Sequence, residues 1–307
     1  MLRGRDFLFI IIGGIIFSFV LSHFFPSPFS RQQKFQEIIS PLAQGLSETK
    51  TLLESIAGKS LADVITSSLS GTRGAYAIVI KNLRTGESFS QNEKRIYEPA
   101  SLYKLWVLGT SYKFIKEGRL PQDKTLSRDV KELDELFKIG TDSAELTEGM
   151  VTMKVSDAIY QMITISHNYA ALLLVSEIRN SNVSSFMSDQ GFRNSRLGQP
   201  PKTTAEDIAL FFEKLYQGIM IDSEYSKKML DLLVQQKLND RIPKYLPAEV
   251  EVAHKTGEIG GFKHDAGIIF GKDPILFVVL SESNSPQGAA ERIAQLARNV
   301  FNYFEIK

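Results

Sequence analysis

The chain has 307 residues, with 36 Lys and Arg against 35 Asp and Glu, a net charge of +1 and 43% hydrophobic residues. So even a charge balance offers no electrostatic handle for nucleic acid or an acidic partner, and the apolar content is that of a chain able to bury a core. Cysteine is absent, which excludes disulfides, thiol nucleophiles and cysteine-ligated metals but leaves the compartment open.

Arg3 and Arg5 precede an apolar run from Phe7 to Phe25 in which His23 is the sole titratable residue. Its length matches the ~20 residues needed to cross a hydrocarbon core, and basic residues ahead of it hold that end in the cytoplasm. We read residues 1–25 as a cytoplasmic tip and transmembrane signal anchor, with the rest of the chain on the extracytoplasmic side. Pro26-Ser27-Pro28-Phe29 offers no small-x-small cleavage site, although a cleaved signal peptide is the alternative. Residues 26–60 carry spaced apolar positions (Phe35, Ile38, Ile39, Leu42, Leu46) in a polar background and suit a linker or stalk. A domain follows over 61–307.

Leu61–Leu69 predicts a short amphipathic helix. Ala75–Ile80 is an apolar, β-branched run, residues 82–87 form a turn, and Ser88–Gln91 begins a return strand, together a hairpin signature. That strand delivers the chain to Glu98-Pro99-Ala100-Ser101-Leu102-Tyr103-Lys104. Pro99 suits a first helical turn, and Gly118 with Pro121 marks the stop. Ser101, Lys104, Leu105 and Leu108 then share one face, which the leucines draw inward. A desolvated lysine loses its preference for the charged form and can take a proton from a neighbouring hydroxyl. A capping serine beside a surface lysine satisfies the same spacing.

Lys131–Phe137 and Val155–Ile165 read as helices, the second with Ser156 as N-cap. Ser166-His167-Asn168 interrupts before apolar helix resumes at Ala170. These polar residues are either a capped connection or a hydroxyl and an amide aimed into a cleft. Residues 191–204 form a loop with three basic residues and no carboxylate. Thr203-Thr204-Ala205-Glu206 matches a capping box for the next helix. After a helix at Ser223–Gln236, Val250–Gly257 alternates as a strand ending in Lys255-Thr256-Gly257. Asp265–Phe270 and Pro274–Leu280 complete a meander, and Ala289–Phe304 is a terminal amphipathic helix. The pattern is α+β: an antiparallel sheet built from both ends of the domain and flanked by helices, with an all-helical insert at about 105–205. A ligand cleft is expected between the two parts.

Ser101-x-x-Lys104, Ser166-x-Asn168 and Lys255-Thr256-Gly257 stand in this order, and together they resemble the motif set of class A β-lactamases and penicillin-binding proteins. The resemblance covers about residues 61–307. It implies Ser101 as the acylated nucleophile, Lys104 as its base or proton partner and Ser166 as the proton relay. It further implies Asn168 as the residue holding a substrate amide, with Lys255 and Thr256 binding the substrate carboxylate beside Gly257. The oxyanion hole would come from the N–H groups of Ser101 and Glu258, and Lys263 would be a further basic group for the carboxylate. Lys255 is also expected to lower the pKa of Lys104 by like charge. The substrate implied is a β-lactam or a peptidoglycan stem peptide ending in a D-alanyl amide, with no cofactor or metal. The histidines His23, His167, His254 and His264 have no zinc spacing.

Two departures limit what the resemblance implies. His167 stands where the second motif usually has aspartate, which suggests altered loop bonding. Loop 191–204 lacks the glutamate that orients the deacylating water in class A β-lactamases, and neither Glu206 nor Glu258 is an evident replacement. Three readings therefore stand: a membrane-anchored β-lactamase, a penicillin-binding carboxypeptidase or transpeptidase with slow deacylation, and a non-catalytic cell-wall-binding relative.

Overall fold

The computed structural model describes residues 58–140, 144–198 and 200–307. The expected anchor at 7–25 and nearly all of the stalk at 26–60 lie outside these residues. Among the described residues no helix is long and apolar enough to cross a membrane.

Helix α1 (Leu61–Leu69) starts at a reciprocal cap in which Ser60 and Asp63 satisfy each other's backbone N–H groups. Strands β1 (Ala75–Asn82) and β2 (Ser88–Gln91) form the expected hairpin. A 3-10 turn at Ala100–Tyr103 leads directly into α2 (Lys104–Lys116). Next come β3 (Thr125–Asp129), α3 (Val130–Phe137), β4 (Met150–Lys154), α4 (Val155–Thr164), α5 (Asn168–Ile178) and α6 (Asn180–Gln190). Helices α7 (Ala205–Tyr216) and α8 (Ser223–Leu233) follow, then β5 (Glu251–Ile259), β6 (Phe262–Phe270), β7 (Pro274–Glu282) and α9 (Pro286–Glu305).

The main sheet runs β2-β1-β7-β6-β5, antiparallel throughout, so both ends of the domain contribute. Successive side chains of a strand point to opposite faces, and β7 is apolar on both. Leu276, Val278 and Leu280 join the core shared with the helical layer, while Ile275, Phe277 and Val279 are buried on the other face. Helix α9 packs on β6, β7 and α1, and α7 packs on β1, β6 and β7. Covering both faces explains why β7 and the second half of β6 read as nearly unbroken apolar runs.

Helix α2 was expected to bury one face, yet every residue from Lys104 to Ser111 is buried. It touches α4, α5, α6 and α8, and a helix enclosed on all sides is apolar all round. Leu105, Trp106, Val107 and Leu108 are fully buried, each burial favouring folding by about 1.5–3 kcal/mol. Gly109 sets the closest approach, since a Cβ there would stand 2.4 Å from the Phe186 ring of α6.

Several sequence expectations need correction. The insert is not all-helical, because β3 and β4 pair into a separate two-stranded sheet. Helix α6 was not expected at all. Ser156 is not the cap of α4; β4 runs straight into the helix and Lys154 takes that position without a side-chain bond. The cap of α7 is Thr204, one residue later than the capping box required. Its third helical position is then Asp207, whose carboxylate accepts from the Asn194 N–H rather than closing the box. Helix α8 ends at Leu233, and Gln236 beyond it is buried, donating to the Ile163 carbonyl.

Candidate active site

Ser101 lies in the 3-10 turn, half-buried, and its hydroxyl has no hydrogen-bond partner among the described residues. The residue before it, Ala100, has φ 46°, in the left-handed region. A non-glycine residue there costs about 1–3 kcal/mol and persists only where its surroundings over-determine it. Those surroundings are visible. Tyr97 exchanges two 2.9 Å backbone bonds with Thr203. His264 Nδ1 accepts from the Ser281 N–H, so its Nε2–H donates to the Glu98 carbonyl at 2.8 Å. Burial lowers His264 to about 4 and keeps it neutral, with the backbone carbonyls of Glu98 and Lys263 working in the opposite direction. Strand β5 presses on the turn at Gly257, where a Cβ would meet the Pro99 carbonyl at 2.8 Å and Leu102 Cγ at 3.1 Å. Glycine at 257 is therefore demanded by packing.

Lys104 opens α2, fully buried. Its ammonium donates to the Ser166 carbonyl at 2.5 Å, the Ser166 hydroxyl at 3.2 Å and Asn168 Oδ1 at 2.6 Å. Burial lowers Lys104 to about 7, with Glu145 working in the opposite direction. The expectation that Lys255 lowers Lys104 misplaces the effect: it is Lys255 that is held well below its usual range, first by burial and then by Lys104. Lys255 Nζ donates to the Ser166 hydroxyl at 2.9 Å and to the Thr256 carbonyl at 2.9 Å. One hydroxyl thus touches both lysines, and Ser166 sits at φ 58° to present it. His167 caps α5, its Nδ1 accepting from the Ala170 N–H at 3.2 Å. Burial lowers its pKa, which keeps that nitrogen free to accept.

Glu145 was not singled out from the sequence. It follows α3 in the connection to β4, and its Oε1 accepts from Asn168 Nδ2 at 2.5 Å. Donors on one side and an acceptor on the other fix the amide: Oδ1 towards Lys104, Nδ2 towards Glu145. The available signal was compositional. Residues 141–149 hold Asp142, Glu145 and Glu148 and no basic residue.

On β5, the outer strand of the sheet, Lys255 and Thr256 are buried beside Ser166. The side chain of Glu258 turns to Lys263 and Arg241 and pairs with both. Partial burial pushes its carboxyl up, but Lys263 and Arg241 outweigh this and leave it below the usual carboxylate range. Lys263 is accordingly tied to Glu258 rather than standing free. Arg241, also missed, has a side chain only 1% exposed, and its Nε lacks a hydrogen-bond partner among the described residues. It is placed by a buried network in which Asp265 accepts from the Ile242 N–H at 3.0 Å and pairs with His254 at 2.9 Å. Glu206 points away from this group, bonding Asn194 and lining a separate cleft with Glu93, Lys94 and Glu213.

An antiparallel sheet bearing a buried lysine on its outer strand, set against a helical layer carrying a serine–lysine turn, defines the fold of the active-site-serine β-lactamases and penicillin-binding proteins. Residues 59–304 match the beta-lactamase enzyme family, and the chain belongs to it. Among solved structures, a β-lactamase from Sphaerobacter thermophilus DSM 20745 superposes with a TM-score of 0.71 at 22% identity, covering 80% of this chain and 97% of that one. PBP-A superposes with a TM-score of 0.69 at 22% identity over 80% of this chain and 96% of its own. A PBP-A variant solved as an acyl-enzyme complex with penicillin G gives 0.67 at 21% identity, over 84% and 97%. No curated protein sequence matches the chain.

Proposed function

We propose that the protein is an extracytoplasmic acyl-serine enzyme, anchored through residues 7–25, that forms an ester at Ser101 with a β-lactam or a D-alanyl peptide and releases it slowly. The carrying observation is the Ser166 hydroxyl held between Lys104 and Lys255 beside a half-exposed serine. The membership of the family and the acyl-enzyme known for one PBP-A variant support the same reading.

In this mechanism neutral Lys104 takes the Ser101 proton as the oxygen attacks the carbonyl carbon. The C–N bond then breaks, and the Ser166 hydroxyl gives its proton to the leaving nitrogen, recovering one from Lys104. Backbone N–H groups of Ser101 and Glu258 receive the developing oxyanion; donors of this kind are each worth about 3 kcal/mol of barrier. Buried Arg241 supplies the cation for the substrate carboxylate, Lys255 and Thr256 donate hydrogen bonds to it, and Asn168 Nδ2 donates to its acyl amide. Slow release follows from the carboxylates. Loop 191–204 has none, Glu206 faces another cleft, and Glu258 is neutralised by two cations. None of these carboxylates is placed to activate the second water, which favours the penicillin-binding reading over rapid β-lactam turnover.

The test is the intact mass of the protein after mixing with benzylpenicillin, followed over hours. The expected result is one penicillin equivalent added to wild type, persisting long after free drug is removed, and none added to Ser101→Ala. No adduct on wild type would refute acylation, and an adduct gone within seconds would refute slow release.

A further inference from the structure

Glu145 has one feature that its bond to Asn168 does not use. Its Oε1 is engaged by Asn168 Nδ2, but Oε2 has no partner and the carboxylate forms no ion pair among the described residues. The residue is exposed, so the charge faces solvent at the rim of the cleft. An amide nitrogen carries two hydrogens, so Asn168 Nδ2 can hold Glu145 with one and a substrate carbonyl with the other. Whatever substituent is borne by the carbon next to that carbonyl then lies alongside Glu145 Oε2.

We propose that Glu145 is a cation subsite for the acyl side chain of the substrate, selecting ligands with an ammonium close to the amide that Asn168 holds. The proposal rests on the acyl-serine reading above and adds the substrate class. Among β-lactams it favours those with an amino group next to the side-chain amide.

The charge logic is local. Lys104 and Lys255 are the lysines beside Asn168. Both are fully buried, and both are held towards their neutral forms. Neither lysine pairs with Glu145: Lys104 is bonded to the Ser166 carbonyl and Asn168 Oδ1, and Lys255 to the Ser166 hydroxyl and the Thr256 carbonyl. Residues 141–149 bring no basic residue that could do so. An exposed ion pair is modest, so attraction of an ammonium and repulsion of a carboxylate should each change acylation by a few-fold, and their ratio by roughly 5- to 20-fold.

Three penicillins separate these effects because they differ mainly at that one carbon: ampicillin bears an ammonium, benzylpenicillin no charge and carbenicillin a carboxylate. Second-order acylation rate constants are measured for wild type, Glu145→Gln and Glu145→Lys, at low and high salt. Glutamine keeps an acceptor for Asn168 and removes the charge. The expected wild-type order is ampicillin, benzylpenicillin, carbenicillin, with a spread that narrows in high salt, collapses in Glu145→Gln and inverts in Glu145→Lys. An unchanged order in Glu145→Gln, or an equal slowing of all three, would overturn the subsite and leave acylation standing. Failure of wild type to acylate with any of the three would overturn both.

Discussion

Lys104 carries the sharpest test of the mechanism. Burial lowers its pKa from 10.5 to about 7, so near pH 7 about half of the amine is free base, against roughly one part in three thousand for an unperturbed lysine. Desolvation therefore raises the concentration of competent base about a thousandfold. Only the deprotonated amine can accept the Ser101 proton, so acylation should rise with pH through a midpoint near 7 and level off above it. The assay is stopped-flow acylation by a chromogenic cephalosporin under single-turnover conditions from pH 5 to 9. Glu145 works against burial in setting this pKa, so Glu145→Gln should move the midpoint to lower pH. Lys104→Arg keeps a cation that cannot deprotonate and should lose about 10²- to 10⁴-fold, the contribution of a positioned base. A flat profile in wild type, or Lys104→Arg within tenfold of wild type, would refute lysine as the base.

Two further predictions concern what holds the serine turn in place. Gly257→Ala puts a methyl 2.8 Å from the Pro99 carbonyl; overpacking of this kind costs about 1–3 kcal/mol, and a lower melting temperature should accompany slower acylation. His264 is buried neutral at about 4 against an ordinary 6.5. Between these values the unfolded chain binds a proton that the folded chain does not, so stability should fall as pH drops from 6.5 towards 4, by up to roughly 3 kcal/mol. Urea melts at pH 7 and 4.5 check this, and a His264→Asn variant that kept the full slope would contradict it.

Much of the fold was legible because its signals are local. The hairpin at 75–91, the meander at 251–282 and α9 each follow from runs and turn residues within a few positions. The serine–lysine pair follows from an i, i+3 spacing, although the structure folds Ser101 into a 3-10 turn and starts α2 at Lys104. The misreadings arose where a local rule had a competitor. Ser156 is a good cap by type, but β3 and β4 bring the chain into α4 as a continuing strand. Helix α6 has a weakly apolar sequence, and its Val183, Phe186 and Met187 matter because α2 offers Gly109 to receive the Phe186 ring. Glu145 reaches Asn168 across 23 positions of sequence, and Arg241 is held by Glu258 on β5 and by the bond from its neighbour Ile242 to Asp265 on β6. Contacts made only in the folded state leave no periodicity to read.

The Ser166 hydroxyl joins the two layers of the molecule as well as the two lysines. Lys104 belongs to the helical layer and Lys255 to the outer strand of the sheet, and this oxygen accepts from both within 3.2 Å. A sub-ångström slip between the layers would break the path while leaving each layer's own packing intact. Acylation competence is therefore a gauge of how tightly the layers are seated. On warming, it should fade before the sheet or the helices lose their ellipticity, so the protein would switch off as a machine while still counting as folded.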